Sequence, residues 1–398
     1  MNIGIIGVGG RSKPYTILPS LLDADTKVTA LSRRDPVKLR EYAETYFTEE
    51  NMPKLYTDYK DMVNDPDIDA IALCTPDDTH RAMTTEILRA GKHILLEKPF
   101  ATTLEDCYEL YQESIKHDKV LKLAFVLRYS PGYMKAKEIV DSGVLGTIVN
   151  VEASERLSKY HSMSYYRRWN RFKEASGGFL NAKCSHDMDI ICWLLGAEPE
   201  YLSCFSGSNY FKPKAEAGQR CSDCKIAYEC KQNFFTYEKQ MSWFNAKEDL
   251  CPFNVENDLV DHATMNIHFD SDVDVAYTVT MFSGTPGRTV TVFGSDATLT
   301  LNQDYDEGYM VTVDYIDPQD KEVYTFDKTL AEKYQFKYSE ADKMITKYFI
   351  NAVKGKPVDG CLNDARAGLL SSGMALAADI SAAEKRVVNM TEIFEGKI

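Results

Sequence analysis

The sequence predicts an α/β protein of two domains, a doubly wound parallel sheet followed by a second domain with an antiparallel sheet. The chain opens with an apolar segment that runs into a glycine turn, "NIGIIGVGGRS". Apolar segments then alternate with helical patterns, which is typical of a parallel sheet. Between Ala263 and Phe326, short segments alternate apolar and polar side chains, as antiparallel strands with one covered face do. At 398 residues the chain is long enough for two domains.

The composition excludes several classes of partner. Hydrophobic residues make up 44% and charged residues 27% of the chain, as in an ordinary globular protein. The net charge of -14 argues against nucleic acid or an anionic membrane as a partner. No segment approaches the roughly 18 apolar residues of a membrane span, and the N-terminal segment does not have the basic start of a signal peptide. We therefore expect a cytoplasmic protein that acts on a small molecule.

The glycine turn predicts a dinucleotide site. Residues Asn2–Ile6 read as a buried strand, and the turn after it follows the G-x-G-x-x-G pattern with serine at the third glycine position. The first glycine allows the tight turn, the second lets the backbone approach a pyrophosphate, and the next helix offers its N–H groups. The alternative is a glycine turn in another kind of α/β protein. The residues expected to contact the cofactor here are Gly7, Gly9, Gly10, Arg11 and Ser12.

The alternation that supports this Rossmann domain extends to about residue 125. The predicted strands are "KVTALS", "DAIALC", "HILLE" and "VLKLAFV". Helical patterns at Asp78–Ala90 and Leu104–His117 separate them. We therefore place an NAD(P)-binding domain at residues 1–125.

The end of the second strand favours NADP(H) over NAD(H). NAD enzymes place an acidic residue there to hold the ribose 2′-OH, whereas this chain has Ser32, Arg33 and Arg34. A hydroxyl and two guanidinium groups suit a 2′-phosphate. Asp35 lies too far along to replace the acid. The alternative is that Arg33 stacks on the adenine, which is compatible with either cofactor.

Two further segments follow predicted strands and so belong at the same edge of the sheet. In "CTPDDTH", Thr75 and Pro76 are expected near the nicotinamide, and His80 either contacts the cofactor or simply begins the next helix. In "LLEKPF", Lys98 is the candidate catalytic base. Oxidation of an alcohol needs a group that takes the hydroxyl proton, and a desolvated lysine can have its pKa lowered enough to do so. Glu97 is expected as a local hydrogen-bond partner, and Pro99 as the residue that fixes the turn, with a cis bond as one way to form it.

A second candidate site lies in "SGGFLNAKCSHDMDIICWLLG". This segment reads as a glycine turn and a helix with His186 and Asp189 on one face. A histidine there is suited to general acid–base work, and the alternative is a histidine that merely caps a loop. Lys183 could bind substrate oxygens or raise the local positive potential.

The tract "SKYHSMSYYRRWNRF" combines aromatic and basic residues. Sugars stack on aromatic rings and need fixed polar partners, while adjacent arginines could instead bind a carboxylate or phosphate. A surface loop or an oligomer contact remains the alternative for any single residue. The candidate contacts are Arg128, which follows the last strand of the first domain, with Tyr160, Arg167, Arg168 and Trp169.

The ten cysteines fall into two groups. Six are expected as buried free thiols: Cys74, Cys107, Cys184, Cys192, Cys204 and Cys361. The other four, Cys221, Cys224, Cys230 and Cys251, lie on an excursion of the second domain at about 215–255. They are candidate ligands for structural zinc, with free thiols or a redox pair as alternatives.

The remaining segments complete the second domain. The predicted strands are "ATMNIHF", "VAYTVTMF", "RTVTVFG", "ATLTLN", "GYMVTVDY" and "EVYTF". Two helices, Glu340–Val353 and Leu362–Glu384, finish the chain.

Several of these motifs, in this order, resemble the glucose-fructose oxidoreductase / inositol dehydrogenase / MocA family. They are "GVGGRS", "CTPDDTH", "EKPFATTLEDC", "LRYSPGYMKAKEIVDSGVLGTIVNV", the histidine segment and the closing helix "ARAGLLSSGMALAADISAAEKRVV". The resemblance covers essentially the whole chain. It implies a Rossmann domain and, at 126–398, a substrate-binding and oligomerisation domain with a large, open, mostly antiparallel sheet. It also implies a homodimer or homotetramer, with the final helix packed back on the Rossmann domain.

The resemblance also implies roles for individual residues. The lysine of the E-K-P motif, matched by Lys98, lies by the nicotinamide and the substrate hydroxyl. The catalytic histidine, matched by His186, follows an acidic residue by four positions, but this chain has Ala182 there. The expected activity is hydride transfer between NAD(P) and a secondary hydroxyl or ketone of a sugar or polyol. The alternatives are a glycosidase that oxidises, eliminates and re-reduces with NAD, and a non-catalytic dinucleotide sensor.

Overall fold

The computed structural model describes residues 1–243, 246–327, 340–358 and 364–394. Its contacts divide the chain into two compact units. The first contains Met1–Ser130 and the described part of Tyr334–Ser372, and the second contains the described parts of Pro131–Lys333 and Gly373–Ile398. No helix within these described ranges is long and apolar enough to cross a membrane.

The elements are as follows. The strands are β1 Asn2–Ile6, β2 Lys27–Ser32, β3 Lys54–Tyr56, β4 Ala70–Leu73, β5 His93–Leu96, β6 Leu121–Leu123, β7 Ile148–Arg156, β8 Pro199–Gly207, β9 His262–Phe269, β10 Asp274–Thr280, β11 Gly287–Gly294, β12 Ala297–Asp304, β13 Gly308–Tyr315, β14 Lys321–Asp327 and β15 Val388–Asn389. The helices are α1 Lys13–Leu22, α2 Pro36–Tyr46, α3 Tyr59–Val63, α4 His80–Arg89, α5 Leu104–Ser114, α6 Pro131–Asp141, α7 Lys159–Tyr166, α8 Lys173–Ser176, α9 Gly178–Leu195, α10 Phe234–Trp243, α11 Glu340–Val353, α12 Ala365–Glu384 and α13 Met390–Phe394.

The first unit contains a six-stranded sheet in the order β3-β2-β1-β4-β5-β6, and all of its pairs are parallel. Its central strands are apolar along their whole length because both faces are covered. Ile5, Ala72 and Leu95 lie in one buried cluster. The predicted Rossmann sheet is confirmed.

The chain returns to this first unit near its C-terminus. Ile345 and Phe349 of α11 belong to the same buried cluster as Ile5. Asp364, just before α12, accepts a hydrogen bond from Leu123 N (3.2 Å), and Ser372 Oγ accepts one from Phe100 N (3.1 Å). The predicted second domain covered residues 126–398. In the structure, α11 instead belongs to the first unit, because its apolar side chains are buried in the core of the first sheet.

The second unit contains a nine-stranded sheet in the order β14-β13-β12-β11-β7-β10-β9-β8-β15. All of its pairs are antiparallel except β7 with β10. Buried and exposed residues alternate along β9 and β10, so one face is covered and the other is open. The large, open, mostly antiparallel sheet is therefore confirmed. The cysteine-rich excursion connects β8 to β9 and carries α10.

Candidate functional site

The predicted cofactor residues of the first unit gather at one edge of its sheet. β1 lies between β2 and β4, so the direction of the crossover connections reverses there. Ligands of open α/β sheets bind outside the carboxyl ends of the strands at such a point. The glycine turn follows β1, Thr75 follows β4, and Lys98 follows β5. The order of the strands thus brings these three segments to neighbouring positions.

The two leading glycines of the turn are required for different reasons. Gly7 has a φ of 86°, and a Cβ there would lie 2.6 Å from Cys74 O, so the protein's own packing excludes any side chain. A Cβ at Gly9 would meet nothing within 4 Å. Gly9 therefore leaves open space beside the turn, as the approach of a pyrophosphate requires. The chemistry of this turn fits a dinucleotide.

Ser12 and Arg11 hold the turn in place. Ser12, in the position of the third glycine, is fully buried, and its Oγ accepts a hydrogen bond from Gly9 N at 2.8 Å. The Arg11 guanidinium donates to Glu97 Oε1 and, at 2.8 Å, to Asp342 Oδ1. Gly10 and Arg11 are exposed. The predicted cofactor residue Arg11 is thus also a bridge from the turn to the Lys98 segment.

After β2, Asp35, Arg33 and Arg34 make different contacts. The Asp35 carboxylate accepts hydrogen bonds from Val37 N and Lys38 N, both at 3.1 Å, and so caps α2. Arg33 Nη1 donates to Val8 O at 2.8 Å, while Arg34 is exposed. Ser32 is buried, and its carbonyl accepts from Gly7 N at 3.0 Å. Asp35 is therefore occupied as a helix cap.

The segment around Lys98 is held on both sides. Lys98 itself is half-buried, and the Lys98–Pro99 peptide bond is cis. Glu97 is buried and accepts a hydrogen bond from Tyr15 OH at 2.7 Å as well as from Arg11. Glu97 is therefore a hydrogen-bond partner of α1.

His80 lies beneath this edge. Its side chain is fully buried, with Nδ1 2.7 Å from Pro99 O and Nε2 3.2 Å from Thr75 O. The ring nitrogens of His80 thus face backbone carbonyls, and the contact between His80 and the cofactor stays a prediction. Thr75 is half-buried and Pro76 is exposed.

In the second unit, α9 carries His186. The helix begins after Gly177, which has a φ of 70°, and ends at Gly196, with a φ of 63°. His186 is half-buried, whereas Asp189 is 1% and Ala182 3% exposed. The chain therefore offers the imidazole at position 186, with a methyl group at position 182, where the resemblance implies an acidic residue.

A buried network of charges joins α9 to strands β7 and β11. Lys183 Nζ lies 3.0 Å from Glu155 Oε1, and Arg288 Nε contacts Glu155 and lies 2.7 Å from Asp187 Oδ1. Tyr305 OH donates to Glu155. Burial raises the pKa of Asp187. Burial also acts to raise the pKa of Glu155. The positive charges of Arg288 and Lys183 act in the opposite direction and outweigh burial, so the pKa of Glu155 lies below its usual value.

The network includes Lys183, whose ammonium is buried and paired with Glu155. A contact between Lys183 and substrate oxygens stays a prediction. Sequence reasoning missed Glu155 and Arg288 altogether. A signal for both was present, since each occupies an inward position of its strand, in line with Val151 and Val290.

The residues of the aromatic-basic tract differ in how far they are buried. Arg167 is 2% exposed and donates to Leu250 O (2.8 Å) and Gln232 O (2.9 Å), so it joins parts of the excursion, and its contact with substrate stays a prediction. Arg168 lies over the Tyr165 ring, and Trp169 is 43% exposed. The Tyr160 ring packs 5.1 Å from that of Tyr237. In the first unit, Arg128 is half-buried and lies over Phe125.

The excursion does not form the predicted zinc site. Among the described residues, no group of three or more histidine, cysteine, aspartate or glutamate side chains is arranged to hold a metal. Cys221 Sγ accepts a hydrogen bond from Phe234 N and Cys230 Sγ one from Gln232 N, both at 3.4 Å. Burial raises the pKa of Cys221 and of Cys251, which disfavours the thiolate that zinc needs.

Of the six thiols predicted to be buried and outside disulfides, Cys107, Cys184 and Cys204 are buried, whereas Cys74 and Cys192 are half-buried, and none of these five forms a disulfide. Cys361 lies outside the described residues. Cys221, Cys224, Cys230 and Cys251 likewise form no disulfide in the described part of the chain.

The fold and the glycine turn define a dinucleotide-binding α/β protein, and comparison with known families specifies it. Residues 1–125 match the model described as the oxidoreductase family, NAD-binding Rossmann fold. Residues 137–390 match that family's C-terminal alpha/beta domain. The chain therefore belongs to the Gfo/Idh/MocA oxidoreductase family.

Two curated relatives illustrate the family. The uncharacterized oxidoreductase YrbE of Bacillus subtilis (strain 168) is 31% identical over 195 residues, which cover 49% of this chain and 54% of the relative. The myo-inositol 2-dehydrogenase of Thermotoga maritima is 28% identical over 200 residues, which cover 50% of this chain and 56% of the relative. The chain thus spans about half the length of the curated relatives it matches.

A solved structure shares the whole fold. Levoglucosan dehydrogenase in complex with NADH and levoglucosan superposes with a TM-score of 0.75 at 17% identity, over 98% of this chain and 99% of that one. At this identity the likeness concerns the fold.

Proposed function

We propose that the protein is an NAD(P)-dependent oxidoreductase that transfers a hydride between nicotinamide and a secondary hydroxyl or ketone of a sugar or polyol. The observation that carries this proposal is the convergence of the glycine turn, Thr75 and Lys98 at one edge of the first sheet. The open space at Gly9 supports a pyrophosphate there. The similarity to a myo-inositol 2-dehydrogenase supports a polyhydroxylated substrate.

The proposal gives the proton to two side chains of this protein. When bound, the nicotinamide ring supplies or accepts the hydride. The Lys98 amine takes the proton of the substrate hydroxyl during oxidation and returns it during reduction. The His186 imidazole hydrogen-bonds the substrate and relays the proton. Because position 182 is alanine, His186 does this without the acidic partner that the family pattern has at that place.

A substrate panel tests the reaction. Absorbance at 340 nm is followed with each dinucleotide and a set of sugars, polyols and their ketones. The Lys98→Met variant is expected to lose about 10²–10⁴-fold in turnover, the usual contribution of a general base, while it still binds dinucleotide. Lys27→Met is the matched control, because Lys27 is exposed at the opposite end of β2. Unchanged turnover in Lys98→Met would reject the assigned role.

The same panel separates the alternatives. Glycoside cleavage with no net change at 340 nm would favour the glycosidase that re-reduces its intermediate. Dinucleotide binding without either reaction would favour the sensor.

We further propose that NADP(H) is preferred over NAD(H). Asp35, the acidic residue nearest the end of β2, caps α2, while Arg34 is exposed beside it. A charge-assisted hydrogen bond to the 2′-phosphate contributes about 1.5–3 kcal/mol, so Arg34→Ala is expected to weaken NADPH binding by roughly 10–100-fold. NADH binding is expected to change less than about threefold. Arg40→Ala, an exposed residue of α2, is the control, and equal losses for both dinucleotides would reject the preference.

The open face of the second sheet supports a homodimer or homotetramer as a further proposal. Tyr201 and Phe205, on β8, are 44% and 77% exposed, and exposed apolar side chains grouped on one face are typical of interfaces. Sedimentation of the wild type and of Phe205→Ser tests it. A monomeric wild type at micromolar concentration would contradict it. The cytoplasmic location stays a prediction.

A further inference from the structure

His80 connects two segments that the proposed reaction uses. It begins α4, and its fully buried ring lies between Pro99 O and Thr75 O, at 2.7 and 3.2 Å. Both neighbours are carbonyl oxygens, which can only accept a hydrogen bond. Burial lowers the pKa of His80 and so favours a neutral ring with one N–H. The shorter distance favours that proton on Nδ1, which then donates to Pro99 O, and the unprotonated Nε2 makes only a packing contact with Thr75 O.

The residue that receives this hydrogen bond directly follows Lys98. On the other side of Lys98, the Glu97 carboxylate is held by Arg11 and by Tyr15. The backbone at Phe100 is held by Ser372. These contacts fix the path of the chain before and after the lysine. The same ring packs against Thr75 after β4, so it lies between the Lys98 turn and the segment expected near the nicotinamide.

We infer that His80 is a positioning residue, which holds the Lys98 turn and the Thr75 segment in register so that the amine and the cofactor keep a fixed separation. The inference deepens the proposed function and rests on it for the identity of the reaction. A side chain that orients a catalytic group matters because a displacement of about 1 Å can cost 10²-fold in rate. An ordinary core histidine, in contrast, would be replaceable by an apolar residue of similar volume with no effect on Lys98.

Two substitutions separate these roles. His80→Leu fills the space but donates no hydrogen bond, whereas His80→Asn keeps an N–H donor close to the position of Nδ1. Turnover is expected to fall about 100-fold in His80→Leu. In His80→Asn it is expected to be at least about tenfold higher than in His80→Leu. The dinucleotide affinity of both variants is expected to stay within about threefold of the wild-type value. His93→Leu is the matched control, since His93 is a half-buried histidine at the opposite end of β5.

Two readouts need no substrate and so keep this inference separate from the proposed function. In protein labelled with ¹⁵N-histidine, the His80 signals are those lost in His80→Asn, and Nδ1 is expected to carry the proton. The rate at which acetic anhydride modifies Lys98, measured by mass spectrometry of the digested protein, is expected to change at least threefold in His80→Leu, to return toward the wild-type value in His80→Asn, and to stay unchanged in His93→Leu.

The outcomes are distinct. An Nδ1 without a proton, or a Lys98 modification rate that is the same in the wild type and in folded His80→Leu, would overturn the inference. If His80→Leu does not fold, the Lys98 modification rate in His80→Asn is the deciding measurement. The inference is overturned if that rate differs from the wild-type rate as much as the rate in unfolded protein does. Absence of turnover in the wild type would refute the proposed oxidoreductase but leave both readouts valid.

Discussion

The buried charges around Glu155 allow a quantitative prediction about stability. Glu155 is fully buried and is the common partner of Lys183, Arg288 and Tyr305. Glu155→Gln keeps the size of the side chain but removes its charge, so two buried cations are left with the single carboxylate of Asp187. Breaking a buried ion pair by removing one partner costs about 3–5 kcal/mol. For a domain of this size that corresponds to a fall of roughly 6–20 °C in Tm, at about 2–4 °C per kcal/mol.

The assay is urea unfolding followed by circular dichroism, with calorimetry for Tm. Glu152→Gln is the control, because Glu152 lies on the same strand but is exposed. It is expected to change the free energy of unfolding by less than about 0.5 kcal/mol. The double variant Glu155→Gln/Lys183→Met removes one cation together with the anion, and we expect it to be more stable than Glu155→Gln alone. A Glu155→Gln protein within about 1 kcal/mol of wild type would refute the reasoning, because it would mean that the network contributes no more than an ordinary surface pair.

Three other predictions follow from single contacts. Gly9→Ala is expected to weaken dinucleotide binding by at least about tenfold without loss of stability, since its Cβ would meet nothing within 4 Å; calorimetric titration and a melting curve check this, and equal affinity contradicts it. Asp35→Ala is expected to cost about 1 kcal/mol through loss of the α2 cap while the ratio of NADP to NAD affinity stays the same, and a changed ratio would show that the carboxylate faces the ribose. Hydrogen bonds and charge from Arg89 hold the pKa of Glu113 well below its usual range. The wild type should therefore exceed Glu113→Gln in Tm at pH 7 and lose that advantage as the pH falls below about 4.3, the unfolded value, and an advantage that grows toward acid pH would contradict the assignment.

The elements that the sequence predicted well are those with a clear period. "KVTALS" coincides with β2, and "GYMVTVDY" coincides with β13. Strand β7 was not predicted although its buried positions alternate, and strands without a clear period were missed as well. β3 has three residues, and β8, "PEYLSCFSG", contains proline, two serines and glycine, which are poor strand formers.

The resemblance implied that the final helix packs back on the Rossmann domain, but the sequence did not predict where the chain divides between the two units. Helix α12 is rich in alanine and leucine, and such a helix can be buried by any neighbour. Its beginning belongs to the first unit and its remainder to the second. Which element covers an apolar helix is decided by tertiary packing, and residue periodicity does not encode it.

For the site, the sequence identified the backbone segments better than the side chains. The glycine turn, Thr75 and Lys98 each follow a predicted strand, and the alternation of strands and helices predicts parallel strands whose carboxyl ends share one edge. The internal partners of Lys183 and Arg167 were not predicted, because a basic residue type does not reveal whether its charge is already satisfied inside the protein. The inward position of Glu155 is the signal that would have indicated a buried partner for Lys183, since an acid in line with core residues needs a cation.

The most direct test of the central claim, that a nicotinamide dinucleotide binds at the glycine turn, is isothermal titration calorimetry of the full chain with NADPH and with NADH. The account predicts one site per chain, at least about tenfold tighter for NADPH, and a loss of that binding in Gly9→Ala. Absence of binding for both dinucleotides, or binding that Gly9→Ala leaves unchanged, would contradict it.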